Sequence, residues 1–280
     1  LMGNSEASRV NPLAVEPIGK LIVKFAVPSV ISMVVNAVYN LVDQIFIGWG
    51  IGYLGNGATN VVFPMVVIAM AFSFLVGDGS AAYFSLSLGR GEPEKARKAA
   101  GNELVLLAVL GVCLTIFFLI FLEPILLTFG ATPQVLPYAI EYGRIIVLGF
   151  PFFMVGIGLN GIIRVDGSPQ YAMATMLTGA ILNTILDPIA IFVLDWGVGG
   201  AALATIISQM VSCILGLLYL PKLKSIKTLG KQSITPSWKT IRTSCSLGVS
   251  SFISQVAGSV VIFVVNNALV DYGAQSVYGA

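Results

Sequence analysis

Two carboxylic acids stand inside otherwise apolar stretches of this chain. They are Asp43 in Tyr39-Asn40-Leu41-Val42-Asp43 and Asp187 in Asn183-Thr184-Ile185-Leu186-Asp187-Pro188. A carboxylate at membrane depth costs a few kcal/mol or more, so it persists where it has a task. Helical spacing adds oxygen ligands to each. Asn183 stacks one turn from Asp187, Asn40 lies at i−3 from Asp43, and Asn36 is two turns below it. Two carboxylates with an amide and a hydroxyl suit a hard cation such as Na⁺, or a shared proton. Burial favours the neutral form of an acid and a bound cation favours the ionised form, so one site can alternate between them. The plainer alternative is that such groups only hydrogen-bond helices together, for about 1–2 kcal/mol or less.

Positioning these groups requires helices that cross a bilayer. The chain is 56% hydrophobic and only 10% charged, against roughly 25% charge in a soluble domain. Its mean hydropathy is +0.92. The composition gives an all-α polytopic membrane protein. There is no histidine, which excludes imidazole metal sites and histidine relays, and Cys113, Cys213 and Cys245 match no zinc or redox spacing. No cofactor is expected. No short apolar signal with a small-residue cleavage site stands before the first apolar stretch in this sequence, so that stretch is expected to be retained as a helix.

Seven stretches have the roughly 20 apolar residues a span needs: 21–49, 60–88, 102–124, 137–163, 170–194, 198–220 and 241–270. The tail from Tyr272 to Ala280 reads as the start of an eighth helix, so the chain is expected to be the front part of a longer protein. Residues 1–220 would form a six-helix N-lobe, 221–240 a basic linker, and 241–280 the start of a second lobe.

Charge fixes the orientation. The connections near 50–59, 125–136 and 194–198 carry no Lys or Arg. The others carry Arg90, Lys95, Arg97 and Lys98, then Arg164, then Lys222, Lys224, Lys227, Lys231, Lys239 and Arg242. Excess Lys and Arg mark the cytoplasmic side, which places the N-terminus inside. The 221–242 lysines are too sparse for nucleic acid, and no nucleic-acid partner is expected. In this topology Asp43, Asp187 and Thr205 each lie six or seven residues from the outer helix ends, roughly 10 Å deep. Three helices thus contribute to one layer.

Other features support or surround that layer. Pro188 frees the carbonyl of Thr184, and Pro28 frees that of Lys24 and allows a kink. Met33, Tyr39 and Phe153 are candidates to line a cavity for flat lipophilic cations, or to be lipid-facing and core residues. Asp78 reads equally as a second polar site or as a water-exposed residue. Glu141 and Arg144 are spaced for an ion pair. Ser29–Val34 echoes Ser251–Val256, a parallel repeat in which Asp43 aligns with Val265.

Several segments together resemble the multidrug and toxic compound extrusion (MATE) family. They are Asn40-Leu41-Val42-Asp43 with Gly48, Leu88-Gly89-Arg90-Gly91-Glu92 with Ala96, and Gly161 to Pro169 including Arg164-Val165-Asp166-Gly167-Ser168. The runs from Asn183 through Pro188 and from Trp196 to Gln209 complete the set. The likeness runs along most of the chain and is greatest to the prokaryotic DinF-like and MepA-like branches. It implies twelve helices in two lobes around a central cleft, in a monomeric carrier of the prokaryotic inner membrane. It implies export of lipophilic organic cations and drugs in exchange for Na⁺ or H⁺. By motif match the cation site falls on Asp43, Asn183, Asp187 and Thr205. The chain departs from the family pattern in length, since it has one lobe and helix seven, so the missing C-terminal lobe of the same protein is the expected partner.

Three rival readings stand beside this one, the third being a non-transporting assembly partner if the product is half-length. A lipid or polysaccharide flippase would share the helix plan but would want more buried positive charge. A membrane enzyme acting on lipids would want clustered acids, a histidine or a serine–base pair at the membrane edge, and the chain has no histidine and isolated aspartates.

Overall fold

The computed structural model describes the backbone of residues 17–223 and 231–278, and the side chains of 17–223 and 233–260. All of its regular elements are helices. They run α1 Ile18–Gly50, α2 Tyr53–Gly89, α3 Pro93–Ile120, α4 Leu122–Thr128, α5 Leu136–Leu148, α6 Phe150–Val165, α7 Pro169–Pro188, α8 Gly197–Tyr219, α9 Lys231–Ile234 and α10 Trp238–Tyr278. A π-helical turn, Ile189–Val193, extends α7, and a 3₁₀ turn, Leu220–Lys222, ends α8.

Among the described residues five helices are long and apolar enough to cross a membrane, or six if α5 and α6 are one bent span. This accounts for the first six expected stretches. The helices overrun the apolar windows at the basic end: α3 starts at Pro93, not near residue 102. Its 28 residues rise about 42 Å at 1.5 Å each, more than the hydrocarbon thickness, so its first turns stand in polar surroundings. Proline at the start of α3 loses nothing there, because the first N–H groups of a helix have no internal partner. The seventh stretch lies within α10, and the helix continues unbroken to Tyr278. The turn into an eighth helix therefore does not fall before that residue. Lys224 and Lys227 of the linker, and the side chains of Lys231 and Val265, lie outside the described residues.

The fourth expected span, 137–163, is broken. The axes of α5 and α6 meet at 51° around Gly149. Pro151 has no N–H, so the carbonyl of Val147 four residues earlier loses its helical donor. Thr115 on α3 replaces it, donating its hydroxyl to Val147 O at 2.8 Å. Gly111, one turn away on α3, lets the backbones meet: a Cβ there would stand 2.6 Å from Pro151 Cα.

Two further contacts set the frame. Gly79 on α2 packs against the Ser244 carbonyl of α10, and Gly248 on α10 against the Leu75 carbonyl of α2. Small residues of this kind let apolar helices approach backbone to backbone. At the basic end, Asn102 of α3 ties down the segment joining α9 and α10. Its Nδ2 lies 3.2 Å from both Ser233 O and Thr235 O, and Ser237 N donates to its Oδ1 at 2.6 Å.

The segment Arg164 to Pro169 is a structural corner. Gly167 adopts φ 87°, which favours glycine, and Pro169 opens α7. The Tyr219 hydroxyl donates to Asp166 Oδ2 at 2.8 Å and lies 2.7 Å from Ser168 Oγ. Arg164 donates to Asn160 Oδ1 at 2.8 Å. These bonds fix the direction in which α7 leaves the corner toward Asp187.

Replacing Thr115 by valine should expose the cost of the α5–α6 bend. It strands the Val147 carbonyl, and thermal or denaturant unfolding should show a loss of about 1–3 kcal/mol. An unchanged midpoint would mean that the bend does not depend on this bond.

Candidate cation site

The site begins where α1 is seated on the end of α7. Gly50, the last residue of α1, packs against Ile191 of the π-helical turn so closely that no Cβ would fit. Phe46 meets Phe192 edge-on, with ring centroids 6.3 Å apart and planes at 85°. The π turn follows Pro188 and places Ile191 and Phe192 toward α1, with Leu194 N bonded to Ile189 O at 2.9 Å. Single π turns of this kind often accompany functional sites. On the other side of α1, Gln44 Nε2 donates to Thr59 Oγ1 on α2 at 3.2 Å.

These seats bring Asp43 and Asp187 together. Asp43 is 9% exposed and Asp187 is fully buried. Their carboxyl groups lie within hydrogen-bonding reach of each other. Asn183 Nδ2 donates to Asp187 Oδ1 at 3.1 Å and reaches Thr205 Oγ1 on α8 at 3.4 Å. The four residues thus form one cluster from α1, α7 and α8.

The cluster leaves oxygens unused. Asp43 Oδ1, Asp187 Oδ2 and Asn183 Oδ1 are buried and have no hydrogen-bond partner. Buried polar atoms without partners are rare and ask for an explanation. Two facing carboxylates are not both ionised unless a cation lies between them; otherwise the pair shares a proton. The donor set fits a small hard cation, because every free atom is an oxygen. Among the described residues no group of three or more His, Cys, Asp or Glu offers a transition-metal site.

Two tyrosines stand beside the pair. Tyr39, half-buried on α1, and Tyr142, 8% exposed on α5, both lie within the electrostatic reach of Asp43 and Asp187. Tyr142 was not apparent from the sequence. Its helix is short and bent, and its depth is readable only once the 51° break is known. The remaining candidates are placed elsewhere. Asn40 turns back on its own helix, donating to Asn36 O at 2.7 Å and reaching Asn36 Oδ1 at 3.2 Å, and both side chains are exposed. Neither enters the carboxylate layer, although helical spacing alone put Asn40 near Asp43. Met33 is exposed on α1. Phe153 is half-buried and packs against the core. Asp78 is exposed on α2. Among the described residues Glu141 and Arg144 form no ion pair; both are exposed, and Glu141 Oε1 lies over Gly199, where a Cβ would stand 2.6 Å from it.

Comparison with known proteins follows this geometry. The MatE family profile matches residues 28–189, more than half of the chain. The chain is 28% identical to the multidrug export protein MepA of Staphylococcus haemolyticus, over 91% of its own length and 56% of that protein. The Staphylococcus aureus (strain NCTC 8325 / PS 47) protein of the same name is 26% identical over 92% and 57%. Among solved structures, an outward-facing multidrug resistance MATE transporter of the MOP superfamily superposes with a TM-score of 0.82 at 30% identity, covering 90% of this chain and 56% of that one. A MOP superfamily transporter from Pyrococcus furiosus, described as having a binding pocket of reversed polarity that suggests a different function, gives a TM-score of 0.84 at 30% identity over 91% and 57%. The chain spans a little over half the length of the relatives it matches.

The cluster predicts which amide matters. Na⁺ should raise the melting temperature of the purified protein, and the protection should fade as pH falls because protons take the same oxygens. Asn183→Leu should weaken the apparent Na⁺ affinity about ten-fold or more, whereas Asn40→Leu should leave it unchanged. Equal effects of the two substitutions would contradict the assignment.

Proposed function

We propose that this chain, which belongs to the MatE family, forms the cation-coupling half of a secondary transporter that exports lipophilic organic cations and drugs in exchange for Na⁺ or H⁺. The observation that carries this reading is the set of three buried, unpartnered oxygens on Asp43, Asp187 and Asn183. The relatives named as multidrug export proteins and multidrug resistance transporters support it.

The mechanism follows from where the acids sit. Asp43 belongs to α1, which is exposed along most of its length and carries Pro28. Asp187 and Asn183 belong to α7, which is packed against α8. An ion between the two carboxyls therefore ties a loosely covered helix to a firmly held one. A proton neutralises one acid and permits the direct carboxyl contact; a Na⁺ ion replaces that contact by coordination. Either event changes how α1 is held, and α1 presents Met33, Val34, Val38 and Leu41 on its exposed surface. The coupling runs from ion to helix position to the surface a substrate meets.

Buried charge favours cationic cargo. Among the described residues the buried ionisable side chains with a formal charge are Asp43, Glu103, Asp166 and Asp187, all acidic. An anionic lipid-linked cargo would call for buried Lys or Arg instead. The basic end is read as cytoplasmic, with the N-terminus inside, and the length found in the relatives beyond this chain would supply a C-terminal lobe as the other wall of the cleft. The working unit is read as a monomer in a prokaryotic plasma membrane.

The test uses the full-length product in liposomes loaded with ethidium, under an imposed Na⁺ gradient and then an imposed pH gradient. Movement under at least one gradient is expected, with loss in Asp43→Asn and in Asp187→Asn at normal membrane insertion. Full activity in both variants would overturn the proposal, and movement under neither gradient by folded protein would favour a flippase cargo.

A further inference from the structure

A further buried acid lies outside the Asp43–Asp187 pair. Glu103 is 2% exposed on α3, ten residues in from Pro93 at the basic end. Both of its carboxyl oxygens are buried and have no hydrogen-bond partner. The space it fills is made by two glycines. A Cβ on Gly158 of α6 would stand 2.5 Å from Glu103 Oε1 and would collide with Leu107, and a Cβ on Gly77 of α2 would stand 3.0 Å from Gly158 Cα. The carboxyl is thus enclosed where α2, α3 and α6 meet.

A carboxylate in that enclosure would be a charge with neither a counter-charge nor a donor, which an apolar interior does not tolerate. No neighbouring element supplies either. On α2, Asp78 is the ionisable group whose charge reaches Glu103, and it is an acid. The single charged residue in the sequence of α6 is Arg164, which is bonded to Asn160. On α10, Ser244 lies against Gly79, and the charged residues nearest to it in sequence are Lys239 and Arg242. The next basic residue on α3 itself is Lys98, more than a turn toward the polar end.

We propose that Glu103 is a second proton-binding site, separate from the outer carboxyl pair, that holds a proton while α2, α3 and α6 are closed around it and exchanges it with water at the basic end when they part. The balance is simple. The Glu103 O–H bond breaks as the contact between Gly77 and Gly158 opens, the proton passes to water, and closing requires its return. Asp78, one residue from Gly77 and exposed, marks the side from which water reaches the site.

Infrared spectroscopy of the membrane-reconstituted protein at neutral pH tests this without any transport assay, so it stands or falls separately from the exchange reaction proposed above. A C=O stretch of a neutral carboxylic acid lacking hydrogen bonds is expected. It should move when glutamate is labelled with ¹³C, shift in D₂O, vanish in Glu103→Gln, and persist when Asp43 and Asp187 are both replaced by Asn. The isotope label assigns the band even if the Gln variant does not fold. A spectrum with no such glutamate band, or a band that never shifts in D₂O, would overturn the proposal.

Discussion

Two carboxyl groups facing each other in a nearly dry interior set the terms for this structure. Such a pair holds together only through a shared proton or a bound cation. The contact between Asp43 and Asp187 is therefore conditional on what occupies it. Asp43 lies on a helix exposed along most of its length and Asp187 on one packed against both α1 and α8, so under the proposed function that condition would bear on the position of α1. Neither acid needs a partner elsewhere, and the oxygens left over are those a cation would use.

The rest of the bundle keeps that contact in register. The π-helical turn after Pro188 presents Ile191 and Phe192 to Gly50 and Phe46, seating the last turn of α1. At the opposite end, the Asp166–Ser168–Tyr219 corner starts α7 in a fixed direction. Between them, the freed carbonyl at the α5–α6 bend is satisfied by the Thr115 hydroxyl. At the bend an irregular backbone feature inside an apolar bundle is matched by a hydroxyl on a neighbouring helix, as an apolar surrounding demands.

The helix plan was legible because hydrocarbon length and charge placement are one-dimensional signals. The Asp43–Asn183–Asp187–Thr205 layer was legible for the same reason: depth can be counted along a helix from its ends. What lay out of reach was rotation and bending. Helical spacing placed Asn40 near Asp43, but its amide finds the closer Asn36 carbonyl and stays with it. The break at Gly149 was hidden because its apolar run is continuous in composition, and with it went Tyr142. Glu103 gives no signal of its own in the sequence, standing at the polar start of the third apolar stretch beside Lys98 and Asn102. Only the helix packing shows that its carboxyl points between two glycines.

The central claim is that Asp43 and Asp187 form one site in which a proton and a cation exclude each other. The direct measurement is proton release on adding Na⁺ to weakly buffered, purified protein, followed with a pH indicator at a pH where the pair holds a proton. The account predicts release from the wild-type chain that saturates with Na⁺ and is abolished by either Asp43→Asn or Asp187→Asn. Release that survives both substitutions, or Na⁺ binding that displaces no proton, would contradict it.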